Sequence, residues 1–332
     1  MRRRQFLMWS GIAAAGSVVG ACAPRADLRH GTGGSKAEQG NAGRALTAAD
    51  FHATRRLAET RFGRIAYVER GSGEAALFVH AYLLSGFQWR GVLGPLSAHR
   101  RCIALDLMGL GYTEVAEGQS VAPDAQVEMM AAFLDALSID RVDLVASDSG
   151  GQAAQLFLVR HPDRVRSLLL TNCDTEPDSP PAALKETLER AHAGTLADLQ
   201  LLPQLRDKAQ ARLDSRIVYA DPRHPTDEAI DYNFAPLVSS PRRKALLDAY
   251  TIGLERNPMI GIAADLRRSR VPARIVWGLD DTIFSSASPD YLDRTLGGSR
   301  GVRRLAGEKL LFPEERPDVI VEEAAKLWGA AG

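Results

Sequence analysis

The stretch Leu144-Val145-Ala146-Ser147-Asp148-Ser149-Gly150-Gly151 decides how the chain is to be read. It opens as an apolar run of strand type, passes through small residues, and continues into 150–161, where apolar residues recur three and four apart. A strand that turns straight into a helix strains the residue at the turn, and bulky side chains two positions to either side would clash there. With Ala146 and Gly150 as the small flanks, Asp148 takes the apex. A register one residue later, flanked by Ser147 and Gly151, would give the apex to Ser149. A third reading makes Asp148 no more than the cap of the following helix.

Working outward, short apolar runs predict strands over 64–69, 75–80, 102–107, 141–147, 165–172, 273–278 and 302–305. Helix-period segments fall between them, over 86–99, 125–139, 150–161, 290–296 and 318–328. This alternation predicts an α/β fold with a mostly parallel central sheet and helices on both faces, and places a site at the carboxyl ends of the strands. From about residue 176 to 268 the alternation gives way to helical patterns over 182–193, 196–213, 226–238 and 241–256. An insertion of that kind between two core strands predicts a cap whose side chains set specificity.

The apex motif does not stand alone. His80-Ala81-Tyr82, Asp106-Leu107-Met108-Gly109-Leu110-Gly111, His161-Pro162-Asp163-Arg164-Val165 and Val276-Trp277-Gly278-Leu279-Asp280-Asp281 surround it in order. Over roughly residues 60–328 the set resembles the α/β-hydrolase superfamily, most of all the branch of haloalkane dehalogenases and epoxide hydrolases, whose elbow residue is Asp. The resemblance implies that Asp148 is a nucleophile forming an ester with an electrophilic carbon. It implies that the backbone N–H groups of Tyr82 and Ser149 stabilise the negative charge, and that Asp281 orients a catalytic histidine. His80 belongs to the same motif beside the elbow and is grouped with Tyr82 and Ser149 as an oxyanion or substrate-binding residue, although the family usually uses it as a structural hydrogen-bonding residue.

The family's histidine is missing. Its loop reads Gly307-Glu308-Lys309-Leu310-Leu311-Phe312-Pro313-Glu314-Glu315-Arg316-Pro317, and no histidine follows His224. Without imidazole no evident base activates water, and an ester at Asp148 would persist. Candidate replacements are His80, His192, His224, Glu308 and Lys309, each with a structural or solvated alternative; His161 reads as structural. The family's halide donors are also replaced, by Ser149 and Tyr82. Tyr219, Tyr232 and Tyr250 lie in the cap, where such tyrosines resemble epoxide-oxygen donors or serve as aromatic packing. Three functions therefore stay open: an Asp-centred enzyme acting on a small, mostly apolar substrate (epoxide, ester or activated halide), a capped binding protein or degenerate hydrolase without turnover, and, in the later register, a serine esterase using Ser149.

The remaining composition narrows the partners. Of 332 residues, 45% are hydrophobic, and 41 Lys and Arg balance 41 Asp and Glu, so no overall field favours nucleic acid. No phosphate loop, metal-ligand cluster or nicotinamide fingerprint is present, so neither cofactor nor metal is expected; Gly109-Leu110-Gly111 lacks the third glycine and the helix start. At the start, Arg2-Arg3-Arg4-Gln5-Phe6-Leu7 and an apolar stretch lead to Val19-Gly20-Ala21-Cys22. This resembles a twin-arginine export signal over 1–22 ending in a bacterial lipobox, which implies acylation of Cys22 and a periplasmic or cell-surface lipoprotein. The Gly- and Ser-rich 23–50 reads as a flexible linker to a hydrolase domain over 51–332, with the lipid as the sole membrane contact. Cys102 and Cys173, in strands read as neighbours, are either a disulfide or two inert thiols.

Overall fold

The computed structural model describes residues 45–329; the export signal and Cys22 lie outside them. The strands are β1 Arg56–Thr60, β2 Gly63–Arg70, β3 Ala75–Val79, β4 Arg101–Leu105, β5 Glu114–Val115, β6 Val142–Asp148, β7 Val165–Cys173, β8 Ala273–Gly278 and β9 Ser299–Leu305. They form one sheet in the order β1-β2-β4-β3-β6-β7-β8-β9, with β5 paired to β2. From β4 to β9 every pairing is parallel, and β2 joins β1, β4 and β5 antiparallel.

Burial on both faces explains why β3, β6 and β7 are near-continuous apolar runs. Alternate residues feed two cores. Leu77, Val79, Leu144, Ala146, Leu168 and Leu170 pack on one face with Phe133 and Phe157 from helices Pro123–Ala136 and Ser149–Arg160. Phe78, Val145 and Leu169 pack on the other with Trp89, Leu93 and Ile320.

Three expectations change in detail. The pattern over 86–99 splits into a 3-10 turn Gly86–Trp89 and a short helix Leu93–Leu96, with Gly91 in the break between them. The cap pattern over 196–213 breaks into Ala197–Leu201, Leu202–Arg206 and Lys208–Asp214; Asp207 turns extended and caps the third piece through the Gln210 amide. The linker stops short of residue 50: Thr47 caps a helix Ala48–Thr54 that buries Phe51, and Leu46 is buried before it.

Cys102 and Cys173 are free and buried. Cys102 lies in β4 and Cys173 ends β7, so β3 and β6 separate them. Three strand spacings amount to about 14 Å, well beyond disulfide reach. The reading of these strands as neighbours is corrected accordingly.

Candidate active site

The apex belongs to Asp148. It closes β6 at φ 54° and ψ −130°, and Ser149 is already the first residue of the helix Ser149–Arg160. That settles the register against Ser149. The helix can begin so abruptly because Gly150 has no side chain: a Cβ there would stand 2.5 Å from the His80 carbonyl oxygen and 2.7 Å from that of Val79. The Asp148 carboxylate makes no capping hydrogen bond to its helix. Its Oδ2 instead accepts from the Tyr82 amide at 2.9 Å. Burial pushes the carboxyl up to about 7; the Tyr82 amide opposes this, the charge of Asp281 adds to it, and the Ser149 amide opposes it. Of the two amides expected to face developing charge, that of Tyr82 bonds the apex carboxylate and that of Ser149 opens the helix behind it.

Asp281 is held in place although no imidazole awaits it. Its Oδ2 accepts from Asn172 Nδ2 and its Oδ1 from the Ile283 amide, both at 2.8 Å. Asn172, at the end of β7, also donates to the Gly278 carbonyl at 3.0 Å and accepts from its amide at 2.7 Å, tying β7 to β8 beneath the site. The missing histidine's place is filled by Leu310 and Leu311, which line the cavity.

His80 is not a substitute base, and its grouping with the substrate-binding residues is corrected. It is fully buried, its Nδ1–H donates to the Ala81 carbonyl at 2.8 Å, and its Nε2 accepts from the Leu107 amide at 2.9 Å. Burial draws its pKa down to about 4, against the Ala81 bond. Neither ring nitrogen is left for Asp148. His192 pairs with Glu255 on the surface, His161 packs tilted against Phe157, and His224 stacks on Tyr219. Glu308 pairs with Arg316, and Lys309 donates to the Arg216 carbonyl.

The cavity over Asp148 encloses about 270 Å³ between the strand ends and the cap. Tyr82, Leu84, Asp148 and Ser149 line it from the body, and Leu184, Gln204, Tyr219, Ile230 and Phe234 from the cap. Of the cap tyrosines, Tyr219 lines the cavity, and Tyr232 and Tyr250 are not among its lining residues. Tyr219 donates to buried Glu314, and Tyr232 packs against Phe51, Phe87 and Tyr112. Tyr250 exchanges a hydrogen bond with the Ser149 hydroxyl at 3.1 Å. The Gly109 and Gly111 pair serves a turn, with φ 89° and 46°, around Asp106, whose carboxylate accepts from the Gly86 and Tyr112 amides.

One lining residue escaped the sequence reading. Asp174 follows β7 immediately, is 5% exposed, and faces the same cavity as Asp148. In Thr171-Asn172-Cys173-Asp174 the available signal was an acid directly beyond the carboxyl end of a buried strand.

Comparison with known proteins agrees with this anatomy. A 2-hydroxy-6-oxo-2,4-heptadienoate hydrolase of Pseudomonas putida is 40% identical over 103 residues, covering 30% of this chain and 37% of that protein. Haloalkane dehalogenase 2 of Mycobacterium tuberculosis is 33% identical over 110 residues, 33% of this chain and 38% of its own length. The chain therefore spans less than two fifths of the curated relatives it matches, and they divide between chemistries, so no single branch is favoured. A solved α/β hydrolase fold protein from Burkholderia ambifaria superposes with a TM-score of 0.71 at 21% identity, over 85% of this chain and 99% of that one. The alpha/beta hydrolase fold family model matches residues 76–315, which hold the elbow, the cap and the histidine-less loop; by that match the chain belongs to the α/β-hydrolase fold family.

Proposed function

We propose that the protein is a hydrolase that attacks a small, mostly apolar electrophile, a strained cyclic ether before an ester or halide, through the carboxylate of Asp148. The observation that carries this reading is the half-buried carboxylate at the strained elbow, with an oxygen on the Tyr82 amide and a mostly apolar cavity over it. Attack on carbon forms an aspartyl ester and converts one displacement into two easier steps. The amides of Tyr82 and Ser149 then stabilise the oxyanion formed when water adds to the ester. The apolar lining suits a substrate with little to hydrogen-bond. A halide leaving group would find weaker support than an epoxide oxygen, since the Ser149 hydroxyl is engaged with Tyr250, so an alkyl halide should modify Asp148 more slowly than an epoxide does.

The leucines where imidazole is expected favour a second reading, a capped binding protein without turnover. Intact mass spectrometry separates the two. Incubation with a panel of epoxides, activated esters and alkyl halides should give product, or an adduct that maps to Asp148 and is absent in Asp148→Asn. Neither product nor adduct across the panel would leave the binding protein. We further propose that the chain is exported and lipid-anchored through Cys22; Cys22→Ser should move it from the membrane to the soluble fraction, and an unchanged membrane pool would contradict this.

A further inference from the structure

Asp148 and Asp174 share more than a cavity. β6 and β7 are adjacent and parallel, and Asp148 lies opposite Cys173 in their register, so Asp174 stands one residue beyond the nucleophile's own partner. Neighbouring strands lie about 4.8 Å apart, which sets the two residues side by side at the strand ends, and both line the cavity. Asp281, the acid placed to orient an imidazole, is bonded to Asn172 and is not among the cavity's lining residues. Asp174 is the remaining acid at these strand ends that reaches the cavity beside Asp148.

We propose that Asp174 performs the acid and base steps for which the fold otherwise uses imidazole, protonating the oxygen that leaves and then activating the water that cleaves the ester. The proposal rests on the reading of Asp148 as nucleophile. In the first step an Asp148 oxygen bonds to the epoxide carbon, the ring C–O bond breaks, and its electron pair takes the proton of Asp174. In the second, the Asp174 carboxylate takes a proton from water, and the hydroxide adds to the ester carbonyl facing the Tyr82 and Ser149 amides. Collapse expels the diol oxygen, which takes the proton back from Asp174. The proton then held by Asp148 returns to Asp174, and the sum is epoxide plus water giving diol.

The surroundings suit that alternation. The charged and titratable groups facing Asp174 are Asp148, Asp178 and the Tyr250 phenol, and the Ser179 hydroxyl is its hydrogen-bond partner. Burial pushes Asp174 up to about 8, with the Asp148 charge adding to this and the Ser179 bond opposing it. The pair gives up its first proton before its second, and the proposed cycle starts from the form with Asp148 ionised and Asp174 protonated. Once Asp148 is esterified its charge is gone, and Asp174 gives up its proton more readily. The same carboxyl is then an acid in one step and a base in the next.

Wild type, Asp174→Asn and Asp174→Glu are compared with an aliphatic epoxide and an alkyl halide of similar size, following the Asp148 adduct by mass spectrometry. The halide departs without a proton, so Asp174→Asn should form that adduct within about threefold of the wild-type rate but release it about 100-fold more slowly. With the epoxide, Asp174→Asn should also slow adduct formation about 100-fold, and Asp174→Glu should recover part of the loss. In the wild type, adduct formation from the epoxide should peak between about pH 7 and about pH 8, whereas formation from the halide should rise and stay high. Release of the adduct by Asp174→Asn at the wild-type rate would overturn the proposal, and so would an epoxide profile with no fall at higher pH. If Asp174→Asn does not fold, the two wild-type profiles decide. A wild type that is never modified at Asp148 and makes no product fails at the earlier step, and removes the nucleophile and this inference together.

Discussion

At Asp148 a positive φ and partial burial under the cap act on the same side chain. The backbone aims the carboxylate at the cavity, and burial raises its pKa to about 7. An acid tuned in this way attacks only once ionised, so halide alkylation should climb as pH rises through about 7 and hold a plateau above. Asp148→Asn should lower adduct formation at least about 1000-fold while leaving the circular dichroism unchanged, because the amide can still accept from Tyr82. The apex was legible because only one register gives small flanks and a strand of the right length. Asp174 was not: an acid past a strand end is ordinary until a cap closes over it, and the cap's placement is a tertiary fact. His80 was legible as structural, and its bonds to Ala81 and Leu107 give the reason.

At the scale of elements, the elbow depends on how closely β3 meets the helix behind Asp148. Gly150→Ala would drive a Cβ into the carbonyls of Val79 and His80. The substitution should cost about 1–3 kcal/mol in urea denaturation, with activity lost out of proportion as the apex shifts. Strands β3, β6, β7 and β8 could be read from sequence because parallel strands buried on both faces are continuous apolar runs. The hairpin of β1 and β2 begins at Arg56, whose strand is half exposed and interleaved with charge, so β1 gave no such run. Cap helices were legible as helical but not in their breaks, since Asp207 interrupts a good periodic pattern with a single extended residue.

At the scale of the whole molecule, the cap is tied to the body through buried polar contacts. Arg90 of the body pairs with Glu314 of the histidine-less loop, and Glu314 accepts from Tyr219 of the cap; the Glu314 side chain is fully enclosed. Glu314→Gln would leave Arg90 buried without its counter-charge and should destabilise the fold by about 3 kcal/mol, measured by denaturant titration. The two cavity acids set a pH dependence of opposite sense to that of an ordinary salt-bridged carboxylate. Asp148 and Asp174 hold protons in the folded chain up to about 7 and about 8, whereas the unfolded chain releases them near ~4. Their contribution to stability is complete below pH ~4 and is lost as pH rises through the folded values. Asp174→Asn should therefore melt a few degrees (~2–4 °C) above wild type at pH ~9, with the gap closing toward pH ~4.

The central claim, that Asp148 forms and loses an ester, is tested most directly with heavy-oxygen water. Wild-type protein is taken through repeated turnovers of an epoxide in that solvent, digested, and the peptide containing Asp148 is weighed. Cleavage of an aspartyl ester at its carbonyl leaves the heavy oxygen on Asp148, and the label should appear there and in no peptide from Asp148→Asn. Product formed with the heavy oxygen in the diol from the first turnover, and with Asp148 unlabelled, would mean that water attacks the substrate directly and would contradict the account.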